Sequence, residues 1–128
     1  MLRRHIFSIL LPASTLGCAI LSDNGTRLAF AIERASRQLL ESDNSEIILE
    51  YRPKTDLKQN YEVRMLRSLR TEAPYGGYIT VSGDDGGGTS YQGRFVYIPR
   101  PLHIVKHDES TLITLRKVQG RIDIVDLQ

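Results

Sequence analysis

The chain has 128 residues, 41% of them hydrophobic and 25% charged, which suits one ordinary globular domain and leaves no room for two. Seventeen Lys and Arg stand against fifteen Asp and Glu, so no charge excess points to nucleic acid, whose affinity rests on clustered phosphate contacts. A single cysteine, Cys18, excludes an internal disulfide, a cysteine-built metal cluster and a redox pair.

The chain opens with a basic head, Met1-Leu2-Arg3-Arg4-His5, followed by the apolar run Ile6 to Leu11 and a small-residue tail from Pro12 to Ala19. This is the pattern of an export signal. The hydrophobic stretch from Ile6 to Gly17 is about twelve residues, too short for a membrane-spanning helix, which needs roughly twenty. Thr15-Leu16-Gly17-Cys18 at its end resembles the lipobox of bacterial lipoprotein signal peptides, with Gly17 and Cys18 at its two most demanding positions and Thr15 and Leu16 in the reverse of the commonest order. The resemblance implies a signal peptide over residues 1–17, cleavage before Cys18, and acylation of Cys18 by palmitate-type chains that hold the protein on a membrane. With Ala19 next, it also implies sorting to the outer membrane, facing the periplasm. Removing Arg3 and Arg4 leaves fifteen basic residues against fifteen acidic ones, a formally neutral mature domain.

Two other readings of this stretch stay open. Gly17-Cys18-Ala19 also offers the small residues of a conventional cleavage site, which would release a soluble exported protein. Alternatively, Ile6 to Leu11 is a buried first strand of a cytosolic protein.

Beyond Cys18, about 110 residues suffice for one core without disulfides. Ser22 to Thr26 is rich in turn and N-cap residues. From Arg27 to Ser42, Leu28, Ile32, Ala35 and Leu39 recur at helical spacing, predicting an amphipathic helix that covers a sheet. Glu46 to Arg52 reads as a strand ended by Pro53, with Ile47, Leu49 and Tyr51 on one face. Between Thr55 and Ala73 the period leaves helix and strand open: Leu57, Tyr61, Met65 and Leu69 form a helical ladder, while Tyr61, Val63 and Met65 alternate. Propensity favours helix there. Pairing with the preceding strand tips the reading to a strand over Tyr61 to Leu66.

Ala73 to Gly77 is a break, followed by β-rich Tyr78 to Ser82, a Gly-rich loop from Gly83 to Ser90 and a strand from Tyr91 to Ile98. Pro99 and Pro101 bracket Arg100 and mark an edge or a change of strand. Leu102 to Lys106, Thr111 to Val118 and Arg121 to Leu127 complete the set, the last two joined at Gln119-Gly120. One helix followed by antiparallel strands gives an α+β fold, with a single domain over residues 18–128.

No pattern in this domain carries strong chemistry. The glycines from Gly86 to Gly88 could cradle phosphate, yet Asp84 and Asp85 would repel it. The same acids with Thr89 and Ser90 offer hard ligands for calcium, though not at EF-hand spacing. His103 and His107, with Asp108 and Glu109, would be the start of a zinc site without a third defined ligand. A small envelope hydrolase or metal-dependent enzyme built on His103, His107 and the Asp84 to Ser90 loop is therefore the competing expectation. Arg64, Arg67 and Arg70 would form a basic stripe if their segment were helical, fit for anionic headgroups or a partner protein. Tyr75, Tyr78, Tyr91 and Tyr97 surround the Gly-rich loop and are the candidate partner-binding residues, since tyrosine is enriched at interfaces. The expectation is thus a membrane-anchored envelope protein that binds another envelope component, with no cofactor, no metal and no nucleic acid.

Overall fold

Alternation of buried and exposed residues organises the chain after its helix. The computed structural model describes residues 4–8, 24–53, 60–83, 88–93 and 96–128. In chain order they form β1 (Arg4–Ser8), α1 (Asn24–Glu41), β2 (Glu46–Tyr51), β3 (Asn60–Leu66), β4 (Gly77–Gly83), β5 (Gly88–Gly93), β6 (Val96–Tyr97), β7 (Leu102–His107), β8 (Thr111–Val118) and β9 (Arg121–Leu127). The α+β expectation holds, with one helix on largely antiparallel strands.

Two sheets replace the single one expected. The first runs β1-β2-β8-β9-β6 and the second β5-β4-β3-β7. Most ladders are antiparallel, but β1 lies parallel to β2 from Arg4 opposite Glu46 to Ser8 opposite Glu50, and β6 lies parallel to β9. Five residues of the export-like segment therefore occupy a sheet edge. Cys18, the cleavage point and Asp84 to Gly87 lie outside the described residues.

The segment left open by its periodicity is a strand over Asn60–Leu66, with Tyr61, Val63 and Met65 buried and their neighbours turned out. Two ladders decide it: β3 pairs on one side with β4 and on the other with β7, so its backbone is satisfied in the sheet. The predicted strand from Tyr91 to Ile98 is divided. Its first part pairs with β4 in one sheet, while Val96 and Tyr97 pair with β9 in the other. Pro99 and Pro101 mark the return, where the chain leaves the first sheet and enters β7 at the edge of the second.

Helix α1 joins the sheets, touching β2, β8 and β9 of one and β4 and β5 of the other. Leu28, Ile32, Ala35 and Leu39 turn inward onto Ile47, Leu49, Ile113, Leu115, Ile122 and Ile124 from the first sheet and Val63, Met65, Ile79 and Val81 from the second. The helix ends where Ser42 turns back, its N–H and Oγ both donating to the Leu39 carbonyl at 3.2 and 2.9 Å. Lys117 Nζ donates to the Ser42 carbonyl at 2.6 Å, placing a cation at the negative end of the helix dipole. The β8–β9 turn has positive φ at Gln119 (50°) and Gly120 (81°), the backbone of a tight primed hairpin turn.

Candidate functional site

The connection from β3 to β4, residues 67–76, is short of secondary structure yet tightly held. Ser68 is buried, its N–H donating to the Ile98 carbonyl at 2.8 Å while its Oγ accepts the Ile98 N–H at 3.0 Å. Gly77 closes the same contact. A Cβ there would lie 2.7 Å from Ile98 Cδ1, 2.9 Å from Ser68 Oγ and 3.0 Å from the Leu66 carbonyl, so only glycine fits. Tyr75 adds a second fastening, meeting Tyr97 edge-on with ring centroids 6.1 Å apart. Tyr97 in turn lies under the Arg121 guanidinium at 4.3 Å, and Arg121 is fixed by Asp123 through Nε at 2.8 Å. The Asp123 carboxylate raises the Arg121 pKa further and holds it as a cation.

What this frame presents is apolar. Leu69, next to the buried Ser68, is 87% exposed, and the cross-strand pair Leu66 and Tyr78 is 50% and 43% exposed. A bound backbone beneath bare hydrophobic side chains is a preorganised surface, because little ordering entropy remains to be lost on contact. Arg67 and Arg70 flank Leu69 and are exposed. Arg70 Nη2 donates to the Pro74 carbonyl at 3.2 Å, and Arg64 approaches Glu62 at 3.7 Å. The three arginines do not form a helical stripe, since Arg64 is on β3 and Arg67 and Arg70 are in the loop beyond it.

The four tyrosines part company. Tyr78 faces outward, Tyr97 is buried as the anchor and Tyr75 is half-buried against it, while Tyr91 sits in β5 opposite Ile79. Leu66 falls on the outward phase of the Tyr61, Val63 and Met65 alternation, whereas Leu69 continues the helical ladder and carries no sign of exposure in the sequence. The adjoining Ser68 at an otherwise buried position was the one available signal.

The two histidines do not converge. His103 Nε2 meets Glu62 Oε2 at 2.8 Å and His107 Nδ1 meets Asn60 Oδ1 at 2.7 Å, each across the β3–β7 ladder. Four residues apart on one strand, they are separated by about 13 Å, several times a metal–nitrogen bond. Among the described residues no group of three His, Cys, Asp or Glu is placed to hold a metal. The hydrogen bond from His103 lowers the pKa of Glu62. On the outer face of the five-stranded sheet a hollow of about 470 Å³ contains Glu46, Thr114, Arg116 and Asp126. Its charges are largely answered within it: Arg116 Nη2 donates to the sunken Glu46 Oε1 at 3.0 Å, and the nearby Arg100 donates to the Val125 carbonyl at 3.2 Å.

Comparison with known proteins finds no relative. No family model, curated protein or solved structure matches the chain. The geometry of the β3–β4 loop is therefore the ground for a functional reading.

Proposed function

We propose that this protein is a non-enzymatic interaction module of the bacterial envelope, held to a membrane through acylated Cys18, which engages an envelope component through the β3–β4 loop. The observation that carries the binding role is the exposure of Leu69 on a loop locked by Ser68 and Gly77, with Leu66 and Tyr78 exposed on the strands that flank it. An exposed leucine on a rigid backbone has no packing role in the domain, and binding supplies one. Tyr75 and Tyr97 support the surface from beneath, and Tyr78 belongs to it.

The test is a photo-crosslinking residue at position 69, compared with one at the exposed Arg37 on α1. An adduct specific to position 69 is expected; equal labelling from both positions would remove the binding role. The tether is tested separately by labelling with a radioactive fatty acid, which wild type should incorporate and Cys18→Ala should not.

A second reading of the address is favoured by the pairing of Arg4–Ser8 with β2. In it the first segment is retained as a strand, and the same interaction module works inside the cell. The two addresses exclude each other, because cleavage before Cys18 removes β1. The mass of the mature N-terminus distinguishes them, and the loop surface is common to both.

A further inference from the structure

The apolar tip of the β3–β4 loop is framed by arginines whose charge is weakly answered. Arg67 makes no ion pair among the described residues, and Arg70 gives its Nη2 to a neutral carbonyl, that of Pro74. The loop carries one acid, Glu72, and Glu62 is already taken by His103 and Arg64. The hollows at Glu46 and Arg116, at Glu50 and Lys106, and at Tyr61 and Ser82 do not include these loop residues. At the tip Leu69 is 87% exposed between two exposed arginines.

We propose that this loop docks on a bilayer surface bearing anionic headgroups, an assignment that rests on reading the loop as the interaction surface. Leu69 enters the boundary of the acyl region, where its exposed side chain leaves water. Arg67 and Arg70, one on each side, meet headgroup phosphates, for which the planar guanidinium is a matched donor. Tyr78 sits at the level where a ring with an apolar body and a polar tip is favoured. Because Ser68 and Gly77 fix the backbone, docking orders little that was not already ordered. Charge complementarity favours anionic lipid over a protein, since two arginines around one leucine match a continuous field of phosphates without any shape requirement.

The experiment uses the full chain carrying Cys18→Ser, so that no acyl group contributes, and measures sedimentation with vesicles. Binding to vesicles containing phosphatidylglycerol is expected, with little to pure phosphatidylcholine. Arg67→Gln and Arg70→Gln should each weaken it about fivefold. Leu69→Ser should weaken it about tenfold. Thermal melts of all three variants should match the parent, because the replaced side chains are exposed. Equal binding by parent and variants, or no preference for anionic vesicles, overturns the proposal. Absence of vesicle binding together with a protein adduct at position 69 removes the lipid assignment and keeps the interaction reading. Absence of both removes the two together.

Discussion

At the scale of single residues, the loop depends on one hydrogen atom in place of a methyl group. Gly77→Ala puts a Cβ against the β3 backbone at the Leu66 carbonyl and against a methyl of the fully buried Ile98. The expected cost is about 1–3 kcal/mol, typical of overpacking, read as a lowered urea midpoint. Gly76→Ala meets only ordinary contacts at Leu69, the nearest at 3.4 Å, and serves as the control. Tyr61 makes a second point about local chemistry. Its hydroxyl donates to the Glu109 carbonyl at 2.6 Å and pairs with the fully buried Thr111 Oγ1 at 2.8 Å, tying β3 to the β7–β8 turn. Burial raises its pKa above the ordinary 10.0. A raised folded pKa means that the stability it contributes is intact below pH 10.0 and is lost as pH rises through the folded value. Tyr61→Phe should cost about 1–2 kcal/mol at neutral pH. Melting curves from neutral to strongly alkaline pH should then converge, since only wild type has a phenol to ionise. Neither contact could be read from the sequence, because both partners lie tens of positions away.

Among the elements, what could be read depended on how far each strand's partner stood from it. α1 was legible from Leu28, Ile32, Ala35 and Leu39 alone, since a helix satisfies its backbone locally. β3 was legible as a strand but not by its partners: Lys, Arg, Glu, Met and Leu favour helix there, and the ladders that override them run to β4 and β7 and not to the preceding strand β2. The exit of Val96 and Tyr97 to the other sheet was hidden as well, although Pro99 and Pro101 signalled that the run must break. Edge strands also show how pairing is limited. β7 is preceded by two prolines and turns Lys106 toward the interior, with Glu109 3.6 Å from its Nζ, and inward charge discourages further strands. β2 has no such guard beyond β1. A chain beginning at Cys18 should therefore exchange the amide hydrogens of Ile47 to Glu50 faster than the full chain, by about fivefold or more if the ladder is worth over about one kilocalorie per mole. Equal exchange in both chains would mean that β1 does not protect β2.

For the molecule as a whole, the helix packs against both sheets at their buried faces, and this sets how stability is shared. The α+β class was legible because one long amphipathic helix and several short alternating strands admit few layer arrangements. The division into two sheets was not, since it depends on which edges pair, and turn residues fix only neighbours in sequence. The proposed surface overlaps the tyrosine cluster expected from the sequence at Tyr75 and Tyr78, at the end of β4 away from the Gly-rich segment, while Leu69 belonged to a helical ladder with Leu57, Tyr61 and Met65. A core assembled from one helix face and two sheet faces predicts that damage to the helix is felt on both sides. Leu39, 1% exposed, belongs to the shared cluster with residues of both sheets. Leu39→Ala should cost about 2–5 kcal/mol through lost burial and the cavity left behind. If the sheets depend on the helix in common, hydrogen exchange in β4 and β8 should accelerate by the same factor in this variant, and heating should give one transition. Acceleration confined to β8 would instead mean that the four-stranded sheet, with its exposed loop, is stable on its own terms and that the helix belongs to the five-stranded sheet.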